Sequence, residues 1–334
     1  MKRVIVIGGG VAGMQAAISL HELGIKAVII EKSERLGGKL NMWYKLFPSF
    51  TSAQSVVDEL EAQIKMLHIE VLYNSCVERV DAKSVTLSNG EELICDATVV
   101  CNGFKLFDAR IKEEYGYGLY NNVITSQELE GMFKSESIKE NFGQSPKKIA
   151  LLHCVGSRDE KVNQRHCSKV CCITGVKQAI ELKEIYPNCE IFNFYMDIRM
   201  FGLGFEQLYR DAQVDHNVHF VRGRISEASE TFDGRIQIKA EDTLIGRPMK
   251  MAVDKLILLV GICSQSENAS FAQNPSIELG RGGFLEPKDL FNNNVCSSKC
   301  ESIFYAGATT SPKTVGESLS EGSRAAMQVA KYLK

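Results

Sequence analysis

The opening of the chain places the strongest restriction on its fold. An apolar, mostly β-branched run at residues 3–7 passes directly into a glycine-rich turn at 8–13, which reads GGGVAG. Apolar residues then recur at helical spacing until Gly24, and a second apolar run follows at 27–30. Strand, glycine turn, helix and second strand together form a βαβ unit. The sequence therefore predicts an α/β fold with a dinucleotide site near its N-terminus.

Each glycine of this turn has a different predicted structural role. Gly8 allows the sharp turn, Gly10 lets backbone amides approach a pyrophosphate at the helix N-terminus, and Gly13 allows the helix to pack closely on the strand. Ala12 lies in the same turn. Glu31 ends the second strand 18 residues after Gly13, where an acidic side chain accepts hydrogen bonds from the adenosine ribose. The turn and the acid together indicate a dinucleotide site.

The segments that follow indicate which dinucleotide binds. Residues 32–38, which read KSERLGG, resemble the extended motif of flavoproteins with two dinucleotide-binding domains, whose paired glycines approach the FAD pyrophosphate. Residues 96–103 (DATVVCNG) and 302–308 (SIFYAGA) resemble two further motifs of that superfamily, which implies an FAD domain split in sequence. The resemblance implies FAD contacts from Gly8, Gly10, Ala12, Gly13, Glu31, Lys32, Gly37, Gly38, Val77, Asn102, Gly103, Gly307, Thr314 and Val315.

The C-terminal part departs from the superfamily pattern at one position. Members usually have an aspartate after the last glycine to hold the ribityl chain, but Ala308 follows Gly307 here. Thr309, Thr310 or backbone groups are the candidate replacements. The helix that opens at Thr314 would direct its positive end at the pyrimidine edge of the reduced flavin.

The middle of the chain predicts a second, inserted unit. Residues 148–152 are typical of a strand, 175–186 of an amphipathic helix and 190–195 of another strand. In pyridine-nucleotide disulfide reductases this insertion is the NAD(P)H domain, and a second glycine motif follows its first strand. Here the chain reads HCVGSRD at 153–159 instead, which argues against nicotinamide binding. The expected boundaries are 1–110 and 263–334 for the FAD domain, 111–145 for a connecting segment and 146–262 for the insertion.

Four of the eleven cysteines are clustered in this insertion. Cys154, Cys167, Cys171 and Cys172 place one thiol at the end of a strand and three at or before the start of a helix. If the helix has begun by Cys167, then Cys167 and Cys171 share one face. A helix N-terminus would stabilise an anionic, thiolate-bound [4Fe–4S] cluster. Buried packing, zinc or a labile Cys171–Cys172 disulfide are the alternatives.

The middle motifs carry a family resemblance over nearly the whole chain. They are CVGSRD at 154–159, CSKVCC at 167–172, YMDIR at 195–199 and RGR at 222–224. Together with the flavin motif, they resemble the flavin-carrying A subunit of heterodisulfide reductases and its relatives in quinone-interacting and sulfur-oxidising complexes. The resemblance implies a thioredoxin reductase-like α/β fold, in which a split Rossmann-type FAD domain contains a second Rossmann-like domain. It also implies FAD and a [4Fe–4S] cluster on the four cysteines.

Two basic residues are the candidate catalytic groups. Lys313 precedes the last helix, where its charge would lie near the flavin and raise its potential, or it is a surface lysine. Arg199 approaches the flavin by analogy with the family, or it makes a surface ion pair. The archaeal family members carry further ferredoxin modules, whereas no C-x2-C-x2-C run occurs here. The chain is therefore expected to be a minimal form whose partners supply the low-potential clusters.

These features predict an enzyme that joins two kinds of electron carrier. FAD exchanges electrons in pairs or singly, and an iron–sulfur cluster exchanges them one at a time. The expected partners are heterodisulfide reductase B/C-like or other iron–sulfur electron-transfer subunits, with a homodimer implied by the family. The alternatives are an NAD(P)H-dependent thiol–disulfide flavoprotein reductase and a non-catalytic, FAD-containing assembly subunit.

Composition excludes several other classes. The net charge of −2 gives no sign of a nucleic-acid or anionic-membrane partner. The longest apolar runs are of strand length, whereas a spanning helix needs about 20 apolar residues. Many cysteines without a leader segment predict a cytoplasmic protein that is not inserted in a membrane. Cys296 and Cys300 are expected to be exposed free thiols.

Overall fold

The computed structural model describes residues 2–289, 296 and 298–334. The chain forms two compact units. Unit 1 comprises Met1–Asn41, Ala53–Lys105 and Cys263–Lys334, and unit 2 comprises Met42–Ser52 and Leu106–Ile262. In the described part of the chain, no helix is both long enough and apolar enough to cross a membrane.

Strands make up the central layer of each unit. In chain order they are β1 (Arg3–Ile7), β2 (Lys26–Ile30), β3 (Glu70–Leu72), β4 (Val77–Val80), β5 (Ser84–Leu87), β6 (Glu92–Ile94), β7 (Ala97–Val100), β8 (Phe104–Leu106), β9 (Val123–Thr125), β10 (Lys148–Val155), β11 (Glu190–Tyr195), β12 (His219–Arg222), β13 (Ile225–Glu230), β14 (Ile236–Asp242), β15 (Arg247–Val253), β16 (Lys255–Val260), β17 (Ile262–Ser264) and β18 (Ile303–Tyr305).

Helices connect these strands. They are α1 (Val11–Glu22), α2 (Ala53–Met66), α3 (Ser126–Lys134), α4 (Ile138–Phe142), α5 (Cys171–Ile185), α6 (Phe205–Val214), α7 (Asn268–Phe271) and α8 (Val315–Leu333). The start of α8 is fixed by a capping box, in which Thr314 Oγ1 accepts the Glu317 N–H and Glu317 Oε2 accepts the Thr314 N–H.

Unit 1 is built on a parallel sheet with the strand order β18-β7-β1-β2-β3. Its middle strand β1 is buried on both faces, which explains the uninterrupted apolar run in the sequence. The α1 helix packs against α8 so closely that a Cβ on Gly322 would lie 2.5 Å from Ala12 O. A separate antiparallel sheet, β4-β5-β6, completes the unit. The predicted β1–α1–β2 unit is therefore present, with parallel strands in register from Arg3 and Lys26.

Unit 2 is built on a second parallel sheet, with the order β12-β11-β10-β16-β9. The middle strand β10 is buried from its second residue onward, and α5 packs its apolar side on this sheet. Residues 111–145, predicted as a connecting segment, supply the edge strand β9 and helices α3 and α4. An antiparallel sheet, β13-β14-β15, completes the unit.

Candidate cofactor and cysteine sites

The glycine turn of unit 1 lies at the carboxyl end of β1, between that strand and α1. Gly8 has a φ of +101°, and a Cβ there would lie 2.4 Å from Cys101 O. A Cβ on Gly13 would lie 1.9 Å from Gly8 O, so neither position accepts a side chain. A Cβ on Gly10 would meet no atom within 4 Å. Of the four glycines in the turn, Gly8 and Gly13 are crowded by backbone atoms and Gly9 by the Leu36 side chain, whereas open space remains beside Gly10.

Glu31 holds this turn to the end of β2. Its carboxylate is buried, Oε2 accepts the Gly9 N–H at 2.6 Å, and Oε1 accepts the Ser33 N–H at 2.9 Å and the Ser33 hydroxyl at 2.7 Å. The acid predicted to bind a ribose therefore joins the glycine turn to the residues that follow β2. Ala12, in the first turn of α1, is buried as well.

The paired glycines come next to the first turn. Gly37 and Gly38 have φ values of +98° and +54°, Gly37 N–H donates to Gly9 O at 2.9 Å, and a Cβ on Gly38 would lie 3.2 Å from Gly10 Cα. The structure thus brings together the two glycine segments predicted to contact a pyrophosphate. Lys32 points elsewhere, to an ion pair with Glu267 at 2.8 Å.

The predicted ribityl region lies where β7 and β18 end side by side. Thr309 donates to Asn102 Oδ1 at 2.6 Å, and Asn102 Nδ2 donates to Asn268 Oδ1 at 2.8 Å. Gly103, with a φ of +72°, follows Asn102 at this edge. Thr309 is fully buried and donates to Asn102, and Thr310 Oγ1 accepts the Lys313 amino group, so these contacts do not distinguish among the predicted replacements for the missing aspartate.

Val77 occupies a different environment from the glycines. It is buried in β4, in the core cluster that also contains Ile7 and Ile30. Val315 is the first residue of α8, directly after the capping residue Thr314. The N-terminus of α8 therefore begins where the sequence predicts it.

Lys313 is not a surface lysine, which corrects one of the two expectations for it. Its side chain is 10% exposed, and Nζ donates to Thr310 Oγ1 at 2.6 Å and Ser311 Oγ at 2.8 Å. Nζ also pairs with Glu321 Oε1 at 3.4 Å, while Glu321 Oε2 accepts the Gly307 N–H at 2.9 Å. Burial lowers the pKa of Lys313 and raises the pKa of Glu321. The sequence did not indicate a role for Glu321, because it lies two helical turns into α8 and its contact with Lys313 depends on the folded structure.

Three of the four predicted ligand cysteines meet in unit 2. Cys154, the last residue but one of β10, adopts a φ of +61°, and its Sγ lies 4.0 Å from Cys171 Sγ. Cys172 is the next residue in α5, and its thiol donates to Asp197 O at 3.6 Å. All three thiols are buried. Cys167 is partly exposed in the preceding loop, where its Sγ accepts the Lys169 N–H at 3.3 Å.

The helix begins later than Cys167, so the predicted shared helical face is wrong. α5 starts at Cys171, with Val170 at the capping position and no side-chain cap. Cys167 is held instead by the loop, in which a clamp of two buried serines joins the cysteine segments. Ser168 N–H and Oγ both donate to Ser157 Oγ at 3.0 Å, and Ser168 Oγ accepts the Ile262 N–H at 2.8 Å.

A buried acid fixes the far side of this loop. Asp159 Oδ2 accepts hydrogen bonds from Lys112 Nζ and Arg224 Nη2, each at 2.8 Å. Burial opposes the charge on Asp159, but these two cations outweigh that effect and lower its pKa to about 2. Asp159 also pairs its backbone with Gln164, which closes the loop between Cys154 and Cys167.

Basic groups surround the thiols. Arg158 Nη2 donates to Asp197 Oδ2 at 2.7 Å, and His153 Nε2 lies 2.8 Å from Asn193 Oδ1. A hydrogen bond with Cys171 lowers the pKa of Cys172, and the neighbouring His153 lowers it further, against the opposing effect of burial. The hydrogen bond with Cys171 likewise lowers the pKa of Cys154 to about 7, and the pKa of Cys171 is raised.

The other predicted basic residue, Arg199, lies in the loop after β11, in unit 2. Its backbone N–H interacts with Cys172, and its charge helps to lower the pKa of Asp197. Arg199 is thus beside the cysteines, whereas Lys313 belongs to the nucleotide unit.

The two cysteines near the C-terminus differ in exposure. Cys296 is fully buried, with its backbone oxygen accepting the Tyr305 N–H at 2.7 Å, so the expectation of an exposed thiol there is wrong. Cys300 is partly exposed, and its Sγ lies 3.3 Å from Ser302 Oγ. Burial raises the pKa of Cys296 to about 12, which makes it an unreactive packing residue.

The donor chemistry of the cysteine site fits a thiolate-bound, anionic group. Two polar atoms that are buried beside the thiols, His153 Nδ1 and Arg158 Nη1, have no hydrogen-bond partner in the described structure. Arg158 Nη1–H can donate to the sulfur of an anionic group, and His153 Nδ1 can do so when its imidazole carries both protons. Within residues 2–289, 296 and 298–334, no three histidine, cysteine or acidic side chains are already arranged as metal ligands.

The chain resembles known proteins over nearly all of its length. The family model for pyridine nucleotide-disulphide oxidoreductases matches residues 2–326. The A subunit of the H(2):CoB-CoM heterodisulfide,ferredoxin reductase of Methanothermobacter marburgensis is 27% identical over 418 aligned positions, covering 98% of this chain and 63% of the relative. The iron–sulfur A subunit of the CoB–CoM heterodisulfide reductase of Methanocaldococcus jannaschii is 28% identical, covering 98% and 64%. The predicted resemblance is confirmed.

The relatives are longer than this chain. The chain spans about 63% of the length of the first of them. Its 334 residues are fewer than the 418 aligned positions, so that relative contains residues inside the matched region that have no counterpart here.

Solved structures with the same fold are thioredoxin reductases. The Lactococcus lactis enzyme has a TM-score of 0.69 at 16% identity, covering 100% of this chain and 99% of that one. The T. acidophilum enzyme has a TM-score of 0.65 at 12% identity, covering 99% of both chains. These likenesses confirm the predicted thioredoxin reductase-like α/β fold.

Proposed function

Since this chain belongs to the pyridine nucleotide-disulphide oxidoreductase family, we propose that it is an FAD-dependent oxidoreductase subunit that relays electrons between the flavin and a [4Fe–4S] cluster. The observation that carries the proposal is the meeting of Cys154 and Cys171, at the end of β10 and the start of α5. This is the place in a βαβ unit where a nucleotide phosphate otherwise binds. The relatives support the proposal, because one is named as an iron–sulfur subunit.

In unit 1, we assign FAD binding to the turn that Glu31 holds in place. Backbone amides at Gly10 and Gly38 would face the pyrophosphate, since open space lies beside Gly10. The N-terminus of α8 would face the pyrimidine edge of the flavin, with Lys313 held near it by Glu321. The contact with Glu321 would hold the Lys313 amino group in place as a hydrogen-bond donor near that edge.

In unit 2, we assign cluster binding to Cys154, Cys167, Cys171 and Cys172. When bound, FAD supplies paired or single electrons and the cluster supplies single ones. The serine clamp would hold Cys167 near the other thiols, and Asp159 would keep the loop closed through Lys112 and Arg224. The Arg199 backbone contacts Cys172, so we assign Arg199 to the surroundings of the cysteine site.

The partners in this proposal follow from the relatives' names. Those relatives are subunits of heterodisulfide reductases, so we expect B/C-like or other iron–sulfur proteins to exchange electrons with this chain, and a homodimer as the family implies. All eleven cysteines are free thiols, which suits the reducing cytoplasm.

One observation favours a second candidate, an NAD(P)H-dependent thiol–disulfide reductase. Cys154 and Cys171 lie 4.0 Å apart, and a disulfide forms from such a pair after a small movement. Against it, the turn after β10 lacks the glycine motif of a nicotinamide site. Rapid bleaching of the flavin by NAD(P)H, with two thiols released per chain, would support this candidate.

The test is anaerobic purification with quantitation of FAD, iron, sulfide and zinc, followed by electron paramagnetic resonance after dithionite reduction. We expect about one FAD, four irons and four sulfides in the wild type. Cys171→Ser should lose the iron and keep the FAD, because it alters unit 2 only. Cys189→Ser is the matched control, since Cys189 is another buried cysteine of unit 2 outside the four-thiol set.

Two results would contradict the proposal. Wild-type protein with FAD but neither iron nor sulfide under strict anaerobiosis would leave the thiol–disulfide candidate. Equal loss of iron in Cys189→Ser and Cys171→Ser would mean that the loss follows from general instability and not from ligation.

A further inference from the structure

Arg158 occupies an unusual position at the cysteine site. It lies in the turn after β10, four residues beyond Cys154, with a φ of +55° that non-glycine residues seldom adopt. Its backbone N–H donates to His166 O at 2.9 Å, which fixes it in the loop that leads to Cys167. The position of its side chain is therefore set by both cysteine-bearing segments.

The guanidinium of Arg158 is only half satisfied. Nη2 donates to Asp197 Oδ2 at 2.7 Å, whereas Nη1 is buried and has no hydrogen-bond partner among the described residues. The charge interacts electrostatically with the thiols of Cys154 and Cys167. A buried N–H donor without an acceptor is costly, so its retention beside thiols indicates an acceptor that the site is built to hold.

Asp197 links this arginine to the helix that carries the other two thiols. The Asp197 carboxylate holds Arg158, and its backbone oxygen accepts the Cys172 thiol at 3.6 Å. Arg222 shares the same carboxylate at 3.6 Å, but its side chain is half exposed and its Nε donates to Met196 O. Of the two arginines on this carboxylate, one has a free donor buried at the thiols and the other extends toward solvent.

We propose that Arg158 is a positioning residue of the proposed cluster site, which donates its free Nη1–H to ligand sulfur and compensates the negative charge of the bound group. This inference rests on the proposed function. A positive charge and a hydrogen bond at the sulfur ligands stabilise the reduced, more negative state. Arg158 thus raises the midpoint potential of the cluster and favours its retention.

The experiment compares four variants of the full chain, purified anaerobically. Arg158→Met should shift the midpoint potential, measured by titration monitored with electron paramagnetic resonance, below that of the wild type, and part of the iron should be lost. Arg158→Lys keeps the charge, so its midpoint potential and its iron content should lie between those of Arg158→Met and the wild type. Asp197→Asn releases Arg158 but also removes a negative charge, and these two changes act on the potential in opposite directions, so its shift should be smaller than that of Arg158→Met. Arg222→Met, the matched control, should keep the wild-type potential and iron content.

Each alternative outcome is informative. A wild type that binds the cluster, with Arg158→Met unchanged in potential, overturns the role of Arg158 and leaves the proposed function intact. An equal shift in Arg222→Met also overturns it, because that effect would come from surface charge in general. Absence of iron and sulfide from the wild type overturns both proposals. If Arg158→Met does not fold, Arg158→Lys decides the question: a midpoint potential below that of the wild type, with Arg222→Met unchanged, supports the role of Arg158, and an unchanged potential overturns it.

Discussion

Each parallel sheet contains a βαβ unit, and the two units differ in the loop that joins the first strand to the helix. In unit 1, three residues separate β1 from α1, and glycines bring backbone amides to the carboxyl end of the strand. In unit 2, residues 156–170 separate β10 from α5, and cysteines stand at both ends of that loop. The comparison teaches that the same position in two βαβ units presents backbone amides when the first loop is short and rich in glycine, and cysteine side chains when the loop is long.

A buried acid stabilises each of the two loops, in different ways. Glu31 binds backbone N–H groups and a hydroxyl, so it fixes the glycine turn by hydrogen bonds alone. Asp159 binds the side chains of Lys112 and Arg224, which come from distant parts of unit 2. The short loop is therefore held locally, and the long loop is held by ion pairs.

The largest effect should come from the glycine turn, where packing leaves no room. Gly13→Val should prevent folding of unit 1, at a cost above about 4 kcal/mol, because its Cβ would lie 1.9 Å from Gly8 O.

Gly10→Ala should fold normally, since a Cβ there meets no atom within 4 Å. It should bind FAD at least about tenfold more weakly, because its methyl group closes the approach to the amides. Soluble yield, urea unfolding and FAD titration distinguish these effects. If Gly10→Ala bound FAD with wild-type affinity, the FAD phosphates would not bind at this turn.

The next effect tests the ion pairs of the long loop. Asp159→Asn should destabilise the protein by about 3 kcal/mol at pH 7, because Lys112 and Arg224 would lose their buried partner. The folded-state pKa of about 2 lies below the ordinary 3.8, so this stabilisation is present above pH 4 and is lost as the pH falls toward 2. Urea unfolding at pH 7 and pH 3 should show the difference between variant and wild type shrinking at the lower pH. A constant difference would mean that the carboxylate charge is not responsible.

The smallest effect concerns the helices that follow the two loops. α5 buries Lys177 between Glu130 and Glu181, whereas α1 buries no charged residue. Burial raises the pKa of Glu181 from 4.5 to about 7. Between these two pH values the folded state keeps a proton that the unfolded chain has released. The free energy of unfolding therefore falls as the pH rises from 4.5 to 7. Glu181→Gln should therefore be more stable than the wild type by about 2 kcal/mol at pH 8 and nearly equal to it at pH 4.

Glu130→Gln is the control for this prediction. Glu130 lies 2.7 Å from both Lys177 Nζ and Gln178 Nε2, so its neutralisation should destabilise the protein at pH 8. Unfolding free energies from urea titrations at the two pH values give the comparison. A Glu181→Gln variant that is less stable than the wild type at pH 8 would show that its bond to Lys177 outweighs its burial.

The sequence was sufficient to predict the regular parts of both units. β1, α1 and β2 follow from an apolar run and a glycine turn, and the start of α8 follows from Thr314 and Glu317. The start of α5 could not be located, because Val170 provides no capping side chain and burial of Cys171 and Cys172 in the core sets the boundary instead. β9 was missed because a three-residue strand depends on pairing with β16, far along the chain.

The sequence predicted the glycines and cysteines of the candidate sites but not the contacts that hold them in place. Glycines and clustered cysteines lie close in sequence, so their spacing carries the information. The supporting contacts join distant residues, such as Asp159 with Lys112 and Arg224, or Lys313 with Glu321 across two helical turns. These pairings depend on tertiary packing, and no local pattern specifies them.

The bonds of Glu31 determine how readily unit 1 accepts its nucleotide. Because Gly9 and Ser33 already donate to this carboxylate, the turn keeps its shape before any ligand arrives. A preorganised site loses little conformational entropy on association. Protein stripped of its cofactor should therefore be reconstituted by adding FAD to the folded chain, without a cycle of denaturation and renaturation.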